Sequence, residues 1–157
     1  MKVIINNVRS SHNVGAIFRT ADAFGVSEIL LCGYTPSPVD KFGLPNKQLL
    51  KVSLGAENSV KWKKFQSIGK AILYCRKQNL KIFAVEITKE AIPVFELRDQ
   101  NFDEICLIVG NEKRGLSNLV ISKCDKVVCI PMAGQKESLN VGVAFAIVAA
   151  ALKFARS

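Results

Sequence analysis

The sequence predicts an α/β fold in which helices cover both faces of a mostly parallel β-sheet. Short apolar segments of strand length alternate with longer segments of helical periodicity, which is typical of repeated strand–helix units. The chain has 157 residues, 49% of them hydrophobic and 22% charged, which favours a single domain with a full core over residues 1–157. Parallel strands need crossover connections, and the intervening helices supply them.

The N-terminal region is expected to form a strand at residues 2–5 and a helix at residues 13–24. The helix carries an apolar stripe formed by Val14, Ile17, Ala21 and Phe24. Arg19 projects from the side opposite this stripe. Asn13 is a candidate N-cap, and Gly25 is a candidate helix stop.

The middle of the chain is expected to alternate strands with loop and helix. Apolar composition predicts strands at residues 28–32 and 81–86, separated by a loop rich in Pro and Gly at residues 33–46. The lysine-rich segment 60–78 is expected to form a basic helix. A short extended segment is expected at residues 93–97.

The C-terminal third contains two further predicted strands, at residues 105–109 and 126–130, with a short helix at 116–123 between them. A final apolar helix is expected from Ser138 onward; its core at residues 141–152 is too short to span a bilayer. No signal peptide is recognisable at the N-terminus. A cytoplasmic protein without membrane contact is therefore expected.

A polar, glycine-bearing loop follows each of these two C-terminal strands. The loops comprise residues 110–117 and 133–140 and carry amide, carboxylate, hydroxyl and basic side chains. Ligands of α/β proteins bind outside the carboxyl ends of parallel strands. The two loops are therefore predicted to line one shared pocket.

The net charge of +9 is concentrated in residues 41–81, which contain ten Lys or Arg and one acidic residue. Lys61, Lys63 and Lys64 there lie beside two aromatic residues. A concentrated basic segment attracts polyanions, so nucleic-acid binding is the favoured interpretation. A merely solubilising surface remains the alternative.

Several other chemistries lack the residues that they need. In the loop at residues 110–117, Leu116 and Ser117 stand where a phosphate-binding P-loop requires Lys followed by Ser or Thr. The only histidine, His12, is expected to be a loop residue. The five cysteines have no CxxC spacing, so buried thiols in a reducing compartment are expected rather than a metal site.

Three segments resemble, in order and spacing, the motifs of the SpoU (TrmH-like) branch of the SPOUT RNA methyltransferases. They are residues 7–21 (NVRSSHNVGAIFRTA), residues 107–117 (LIVGNEKRGLS) and residues 130–144 (IPMAGQKESLNVGVA). The resemblance spans nearly the whole chain. One departure is Gly142, where the family often has serine.

The resemblance implies a fold and an assembly that composition alone does not indicate. It implies a trefoil knot in the C-terminal part, a rare exception among folds. It also implies S-adenosylmethionine as cofactor, bound in a bent conformation, and a homodimer in which the apolar helix at residues 141–152 is buried on more than one side. Burial of that helix inside a monomer is the alternative.

The resemblance also implies site residues. The implied cofactor contacts are Val85, Glu86, Gly110, Ile130, Met132, Ser138, Leu139 and Asn140. The implied catalytic residues around the reacting ribose are Asn13, Arg19, Glu112, Ser138 and Asn140. The expected RNA contacts are Arg9, Arg19, Arg114, Lys61, Lys63 and Lys64. Asn13 and Ser138 have an alternative interpretation as helix caps.

The implied function is 2′-O-ribose methylation of structured RNA, with transfer RNA as the first candidate and ribosomal RNA as the second. No separate RNA-binding domain is expected, so the basic segment would serve as the RNA surface. The alternative is a knotted RNA-binding or assembly protein without catalytic activity. A small-molecule methyltransferase fits poorly with the local charge of +9 in residues 41–81.

Overall fold

The computed structural model describes residues 1–154 and contains one seven-stranded sheet in the order β3-β2-β1-β6-β4-β7-β5. All six strand pairs are parallel. The strands are β1 (Lys2–Asn6), β2 (Glu28–Cys32), β3 (Lys61–Phe65), β4 (Lys81–Val85), β5 (Ile92–Pro93), β6 (Ile105–Val109) and β7 (Lys126–Cys129). All carboxyl ends therefore lie at one edge of the sheet.

Helices connect these strands and cover both faces, as predicted. They are α1 (Ser11–Phe24), α2 (Lys47–Ser53), α3 (Ala56–Ser59), α4 (Ile68–Arg76), α5 (Asn118–Ile121) and α6 (Val141–Phe154). Short 3-10 turns occupy Val94–Glu96 and Phe102–Glu104.

Alternate residues of the central strands face two separate hydrophobic cores, because side chains of a strand point to opposite faces in turn. Val3 and Ile5 of β1 belong to the core beneath α1, α2, α3 and α6. Ile4 belongs to the core beneath α4 and α5. β1, β2 and β6 are nearly continuous in apolar residues because both of their faces are covered.

The start of α1 differs from the prediction. The N-cap is Ser10, whose hydroxyl accepts a hydrogen bond from the backbone N–H of Asn13 at 3.2 Å. Asn13 is therefore inside the first turn, and its side chain remains available for other contacts. The predicted helix stop is confirmed, because Gly25 adopts a φ of 69° that favours glycine.

The predicted basic helix at residues 60–78 is wrong in its first half. Residues Lys61–Phe65 form edge strand β3, which pairs with β2, and the helix α4 begins only at Ile68. The lysines resemble a helical surface in the sequence because an edge strand exposes most of its side chains. Trp62 and Phe65, both half-buried, anchor the strand to the two cores.

Other boundaries are shifted as well. The final helix begins at Val141 rather than Ser138, and Asn140 caps it by accepting hydrogen bonds from the next N–H groups. The short helix predicted at residues 116–123 is limited to α5, and the extended segment predicted at 93–97 is a strand for Ile92–Pro93 only. No helix within residues 1–154 is long and apolar enough to cross a membrane.

The five cysteines are free thiols, and Cys32, Cys75 and Cys106 are buried. Burial raises the pKa of the Cys32 thiol to about 12, so it stays protonated at neutral pH. These side chains therefore behave as small apolar core residues.

Candidate active site

A cavity of about 260 Å³ lies at the carboxyl ends of β4, β6 and β7. The loops that follow β6 and β7 both line it, as the sequence predicted. Of the expected site residues, the cavity walls include Val85, Glu86, Gly110, Glu112, Arg114, Ile130, Met132, Ser138 and Leu139. The wall combines aliphatic side chains with a few polar groups, which is typical of a small-molecule site.

Glu86, at the end of β4, holds the loop that follows β6. One of its carboxylate oxygens accepts a hydrogen bond from the backbone N–H of Leu116 at 2.7 Å, and the other accepts from its neighbour Ile87 at 3.0 Å. Leu116 is itself buried in the core on the α4 face. The Glu86 side chain therefore shapes the cavity wall by holding the loop at Leu116, and this role needs no direct contact with a ligand.

Gly110 allows the same loop to fold back on itself. A Cβ atom at this position would lie 2.7 Å from the backbone carbonyl carbon of Gly115 and 2.8 Å from the Leu116 side chain. Real Cβ atoms do not approach backbone that closely, so a larger residue would displace the loop. Glycine is thus needed here because of the loop's own packing.

A chain of side-chain hydrogen bonds joins the three sequence motifs beside the cavity. The amide of Asn140 donates to the amide oxygen of Asn13 at 3.0 Å. The amide nitrogen of Asn13 then donates to the carboxylate of Glu112 at 3.2 Å. These three residues lie in the third, first and second motif respectively, and the fold brings them to one point.

Glu112 also fixes the start of α1. Its carboxylate accepts hydrogen bonds from the backbone N–H groups of Arg9 and Ser10 at 3.2 and 3.1 Å. Partial burial by itself would raise the pKa of Glu112, but hydrogen bonds from its own backbone N–H, from those of Arg9 and Ser10 and from the Asn13 amide together hold the pKa below its ordinary value of 4.5. Glu112 is therefore ionised at neutral pH and acts as an acceptor.

We expect Glu112→Gln to reduce the acid sensitivity of folding. A carboxylate with a lowered folded-state pKa contributes stability that is present above pH 4.5 and is lost as the pH falls through the folded-state pKa. The wild-type melting temperature should thus fall more steeply than that of the variant below about pH 4.5. Calorimetry across this range measures the difference; parallel curves would show that the Glu112 bonds add nothing to stability.

Asn140 has two separable roles, as helix cap and as donor to Asn13. Its amide oxygen accepts hydrogen bonds from the N–H groups of Gly142 and Val143 at 2.9 and 3.3 Å. Loss of such a cap costs about 1 kcal/mol. Aspartate would keep the capping oxygen but would place an oxygen against the oxygen of Asn13.

Asn140→Asp should therefore leave the melting temperature nearly unchanged and disorder the hydrogen-bonded chain at the cavity. We expect the methyl transfer that the three motifs imply to fall by at least tenfold in the variant, since aspartate cannot donate to Asn13. Asn140→Ala is the matched comparison, because it removes both roles and should also lower stability by about 1 kcal/mol. Full activity in the aspartate variant would contradict a functional role for the Asn140–Asn13 bond.

The expected RNA contacts occupy different parts of the surface. Arg9 and Arg114 line a second, open cavity beside the first. Lys61 begins β3, at the amino edge of the sheet. Lys63 forms an ion pair with the buried Glu28 at 3.1 Å, and Lys64 donates to the backbone carbonyl oxygen of Thr35.

Arg19 is exposed on α1 and does not line the cavity of its own chain. Among residues 1–154 it makes no hydrogen bond or ion pair through its side chain. The sequence prediction that it projects away from the buried stripe is therefore confirmed. Within this chain the structure does not bring Arg19 to the cavity.

Comparison with known proteins identifies the family. Residues 1–150 match the profile of the SpoU rRNA Methylase family. The chain belongs to this family. Its relatives include the tRNA (guanosine(18)-2′-O)-methyltransferase of Escherichia coli K12, which is 30% identical over 149 residues, 94% of this chain and 60% of the relative. A second relative, the 23S rRNA (guanosine-2′-O-)-methyltransferase RlmB of E. coli K12, is 31% identical over 92% of this chain and 56% of its own length.

Solved structures of SpoU proteins share the fold. The SpoU methyltransferase AviRb from Streptomyces viridochromogenes, solved in complex with the cofactor AdoMet, is 25% identical with a TM-score of 0.84 over 98% of this chain and 59% of its own. The TrmH/SpoU tRNA modifying enzyme of A. aeolicus is 28% identical, with a TM-score of 0.79 over 96% of this chain and 72% of its own. This chain thus spans little more than half the length of several SpoU relatives.

Sequence reasoning missed some residues that line the two cavities. Asn111 donates to the Asn7 backbone oxygen at 2.9 Å and to the Tyr34 hydroxyl at 3.0 Å, and its own amide oxygen accepts from two N–H groups of its loop. Asn111 directly follows Gly110 in the loop after β6. The rule that ligands bind at the carboxyl ends of parallel strands could therefore have identified it. Tyr34 lies two residues beyond β2, at the same edge of the sheet. The Pro- and Gly-rich context of Tyr34 obscured this position.

Proposed function

We propose that this chain is an S-adenosylmethionine-dependent RNA 2′-O-ribose methyltransferase. The observation that carries the proposal is the hydrogen-bonded chain of Asn13, Glu112 and Asn140 beside a strand-end cavity. Family membership and the 2′-O-methyltransferase activities for which the two E. coli relatives are named support the same reaction. One of these relatives is named for tRNA and the other for 23S rRNA. We take transfer RNA as the first candidate substrate.

The cavity suits the proposed cofactor. Val85, Ile130, Met132 and Leu139 supply an apolar slot for an adenine ring, and backbone groups near Gly110 can serve as donors and acceptors. When bound, S-adenosylmethionine would supply a methyl group on a positively charged sulfur, which already activates it for transfer. Ser138 lines the cavity and does not cap α6, so its hydroxyl is available to the cofactor or the ribose.

The protein's contribution to the reaction is alignment and charge stabilisation. Asn13, Glu112 and Ser138 would position the ribose hydroxyl, and alignment of this kind is worth roughly 7–11 kcal/mol. Arg19 would act as a fixed cation that stabilises negative charge on the ribose oxygen and holds an RNA phosphate. A guanidinium could act as a base only after losing its own proton, which is strongly unfavourable near neutral pH. The proton therefore leaves to water.

This role requires a second subunit, since Arg19 lies outside the cavity of its own chain. We propose a cytoplasmic homodimer in which α6 contributes to the interface and the partner's α1 delivers Arg19 to the cavity. Val143 and Phe154 of α6 expose apolar surface that an interface would cover. The C-terminal part of the fold is proposed to form a trefoil knot that encloses the cofactor.

RNA would bind at the carboxyl edge of the sheet and along edge strand β3 toward the amino edge. Arg9 and Arg114 lie beside the cavity, and Lys61, Lys63 and Lys64 extend a basic surface along edge strand β3. Lys63 already forms an ion pair with Glu28. We therefore propose that Arg9 and Arg114 make the stronger phosphate contacts.

Incubation with methyl-labelled S-adenosylmethionine and total RNA of the host tests the function directly. We expect label in transfer RNA, resistant to alkali at one internucleotide bond because the 2′-oxygen is methylated. Binding to RNA should weaken with a slope of about −0.7 to −0.9 per phosphate contact in a plot of log K against log salt. Calorimetry gives the affinity for S-adenosylmethionine independently.

The outcomes separate the candidate functions. Label in ribosomal RNA would show that ribosomal RNA, and not transfer RNA, is the substrate. RNA binding without affinity for S-adenosylmethionine would favour the non-catalytic assembly protein. Label on a base would disprove 2′-O methylation.

A further inference from the structure

The second cavity, of about 670 Å³, opens beside the cofactor cavity and shares part of its wall. Its lining comprises Arg9, Tyr34, Asn111, Lys113 and Arg114. Of these, Asn111, Lys113 and Arg114 also line the cofactor cavity. Whatever occupies the second cavity therefore lies next to whatever occupies the first.

Tyr34 presents an aromatic face that is exposed and yet fixed. Its side chain is 58% exposed, although its hydroxyl accepts a hydrogen bond from Asn111 at 3.0 Å. Its backbone N–H donates to the side chain of Asn7 at 3.3 Å. The following residue, Thr35, is fully buried, and its hydroxyl bonds the backbone of Ile5 and Cys32 at 2.9 and 2.7 Å.

Three cations surround this ring. Arg9, Lys113 and Arg114 line the second cavity, and none of their side chains forms an ion pair within residues 1–154. The cavity lining contains no carboxylate. Asn111 fixes the direction of the loop, because its amide oxygen accepts from the N–H groups of Lys113 and Arg114 at 3.0 and 2.9 Å. The site thus combines an aromatic plane with unneutralised positive charge.

We propose that this cavity binds the nucleotide next to the methylated one, with its base stacked on Tyr34 and its phosphates held by Arg9, Lys113 and Arg114. The inference rests on the proposed RNA methylation and specifies how the substrate is held. A fixed aromatic platform flanked by cations is the arrangement with which proteins bind unpaired nucleotides. Both donor hydrogens of Asn111 are already bonded, so Asn111 contributes to the subsite by holding Tyr34 and has no free donor with which to read the base.

Tyr34→Leu and Tyr34→Phe form a matched pair that tests the stacking. Leucine removes the aromatic plane, and we expect it to raise the dissociation constant for fluorescently labelled host tRNA by roughly 5- to 100-fold. Phenylalanine keeps the plane and loses the hydroxyl, so its affinity should stay within about twofold of the wild-type value. Affinity for S-adenosylmethionine should be unchanged in both variants.

A purely structural role predicts a different pattern. If Tyr34 only held Asn111 through its hydroxyl, phenylalanine would weaken tRNA binding as much as leucine. That pattern, or unchanged binding by Tyr34→Leu, would overturn the inference. If the wild-type protein binds tRNA without methylating it, only the proposed function is contradicted. The ratio of the tRNA dissociation constants of Tyr34→Leu and Tyr34→Phe would still test whether a base stacks on Tyr34. Absence of binding to both transfer RNA and ribosomal RNA by the wild-type protein would overturn both.

The cationic part has its own control. Arg9→Gln, Lys113→Gln and Arg114→Gln should each reduce the salt slope of tRNA binding by about 0.7 to 0.9. Lys126→Gln makes the same charge change at the start of β7, at the amino edge of the sheet and outside the basic segment 41–81, and should leave the slope unchanged. Equal effects in all four variants would indicate a general charge effect and would contradict a phosphate site in the second cavity.

Discussion

Replacing Arg19 with alanine should lower kcat for RNA methylation by roughly 10²- to 10³-fold and leave the affinity for S-adenosylmethionine unchanged. The guanidinium is exposed on α1 and lines no part of the strand-end cavity of its own chain, and in the proposed dimer it faces the ribose and the RNA phosphate rather than the cofactor. The lost group would have stabilised charge on the ribose oxygen. Single-turnover rates and calorimetry on the same preparation measure the two quantities separately.

Arg19→Lys distinguishes a planar cation from a point charge. Lysine keeps the charge but cannot bind a phosphate and the ribose oxygen with a rigid fork of donors. We expect less than a tenth of the rate to return. Recovery of most of the rate by lysine would contradict the need for the fork and would leave only a general charge effect.

A mixing experiment tests whether Arg19 acts across the proposed dimer interface. Subunits carrying Arg19→Ala are mixed with subunits carrying Gly110→Ala, whose cavity is damaged. If Arg19 comes from the partner, each mixed dimer has one complete site, and an equal mixture should recover roughly a quarter of wild-type activity. No recovery, with mixed dimers demonstrated by native mass spectrometry, would place Arg19 and its cavity in the same subunit.

Gly110→Ala should weaken binding of S-adenosylmethionine by at least tenfold and lower the free energy of unfolding by about 1–3 kcal/mol. The added Cβ would lie 2.7 Å from the backbone of Gly115, so the loop that follows β6 must move. That loop carries Asn111, Glu112 and Arg114, and its movement would displace the cavity wall and the bond to Asn13. Calorimetric titration and urea unfolding measure both effects.

Gly69→Ala is the control for Gly110. Gly69 lies in α4, and a Cβ there would meet no atom within 4 Å. Alanine favours helix over glycine by up to about 1 kcal/mol, so this variant should be as stable as the wild type or slightly more stable. Unchanged cofactor affinity in Gly110→Ala would show that the loop can relax without altering the cavity.

The strands in the middle of the sheet were predictable because burial on both faces makes them continuous in apolar residues. The predicted strands at residues 28–32 and 105–109 coincide with β2 and β6, and those at 2–5, 81–86 and 126–130 differ from β1, β4 and β7 by one residue each. Edge strand β3 was missed because its pairing with β2, and not its own lysine-rich composition, makes it a strand.

Helix boundaries depended on contacts that no local pattern reveals. Ser10 and Asn13 are both good N-cap residues, and Ser10 is the cap because the backbone there is held by Glu112, about a hundred residues away. Ser138 and Asn140 present the same choice at α6, where Asn140 is the cap. In each case a side chain distant in sequence or a loop conformation decided between two acceptable residues.

The sequence alone determined the five inner strands, the two polar strand-end loops and the family, because these follow from hydrophobic periodicity and local motifs. Only the tertiary structure decided which side chains meet. It joined Asn13, Glu112 and Asn140 into one hydrogen-bonded chain, left Arg19 outside its own cavity and placed Tyr34 among three cations. Such contacts depend on strand order in the sheet, and a sequence pattern with a range of a few residues does not encode strand order.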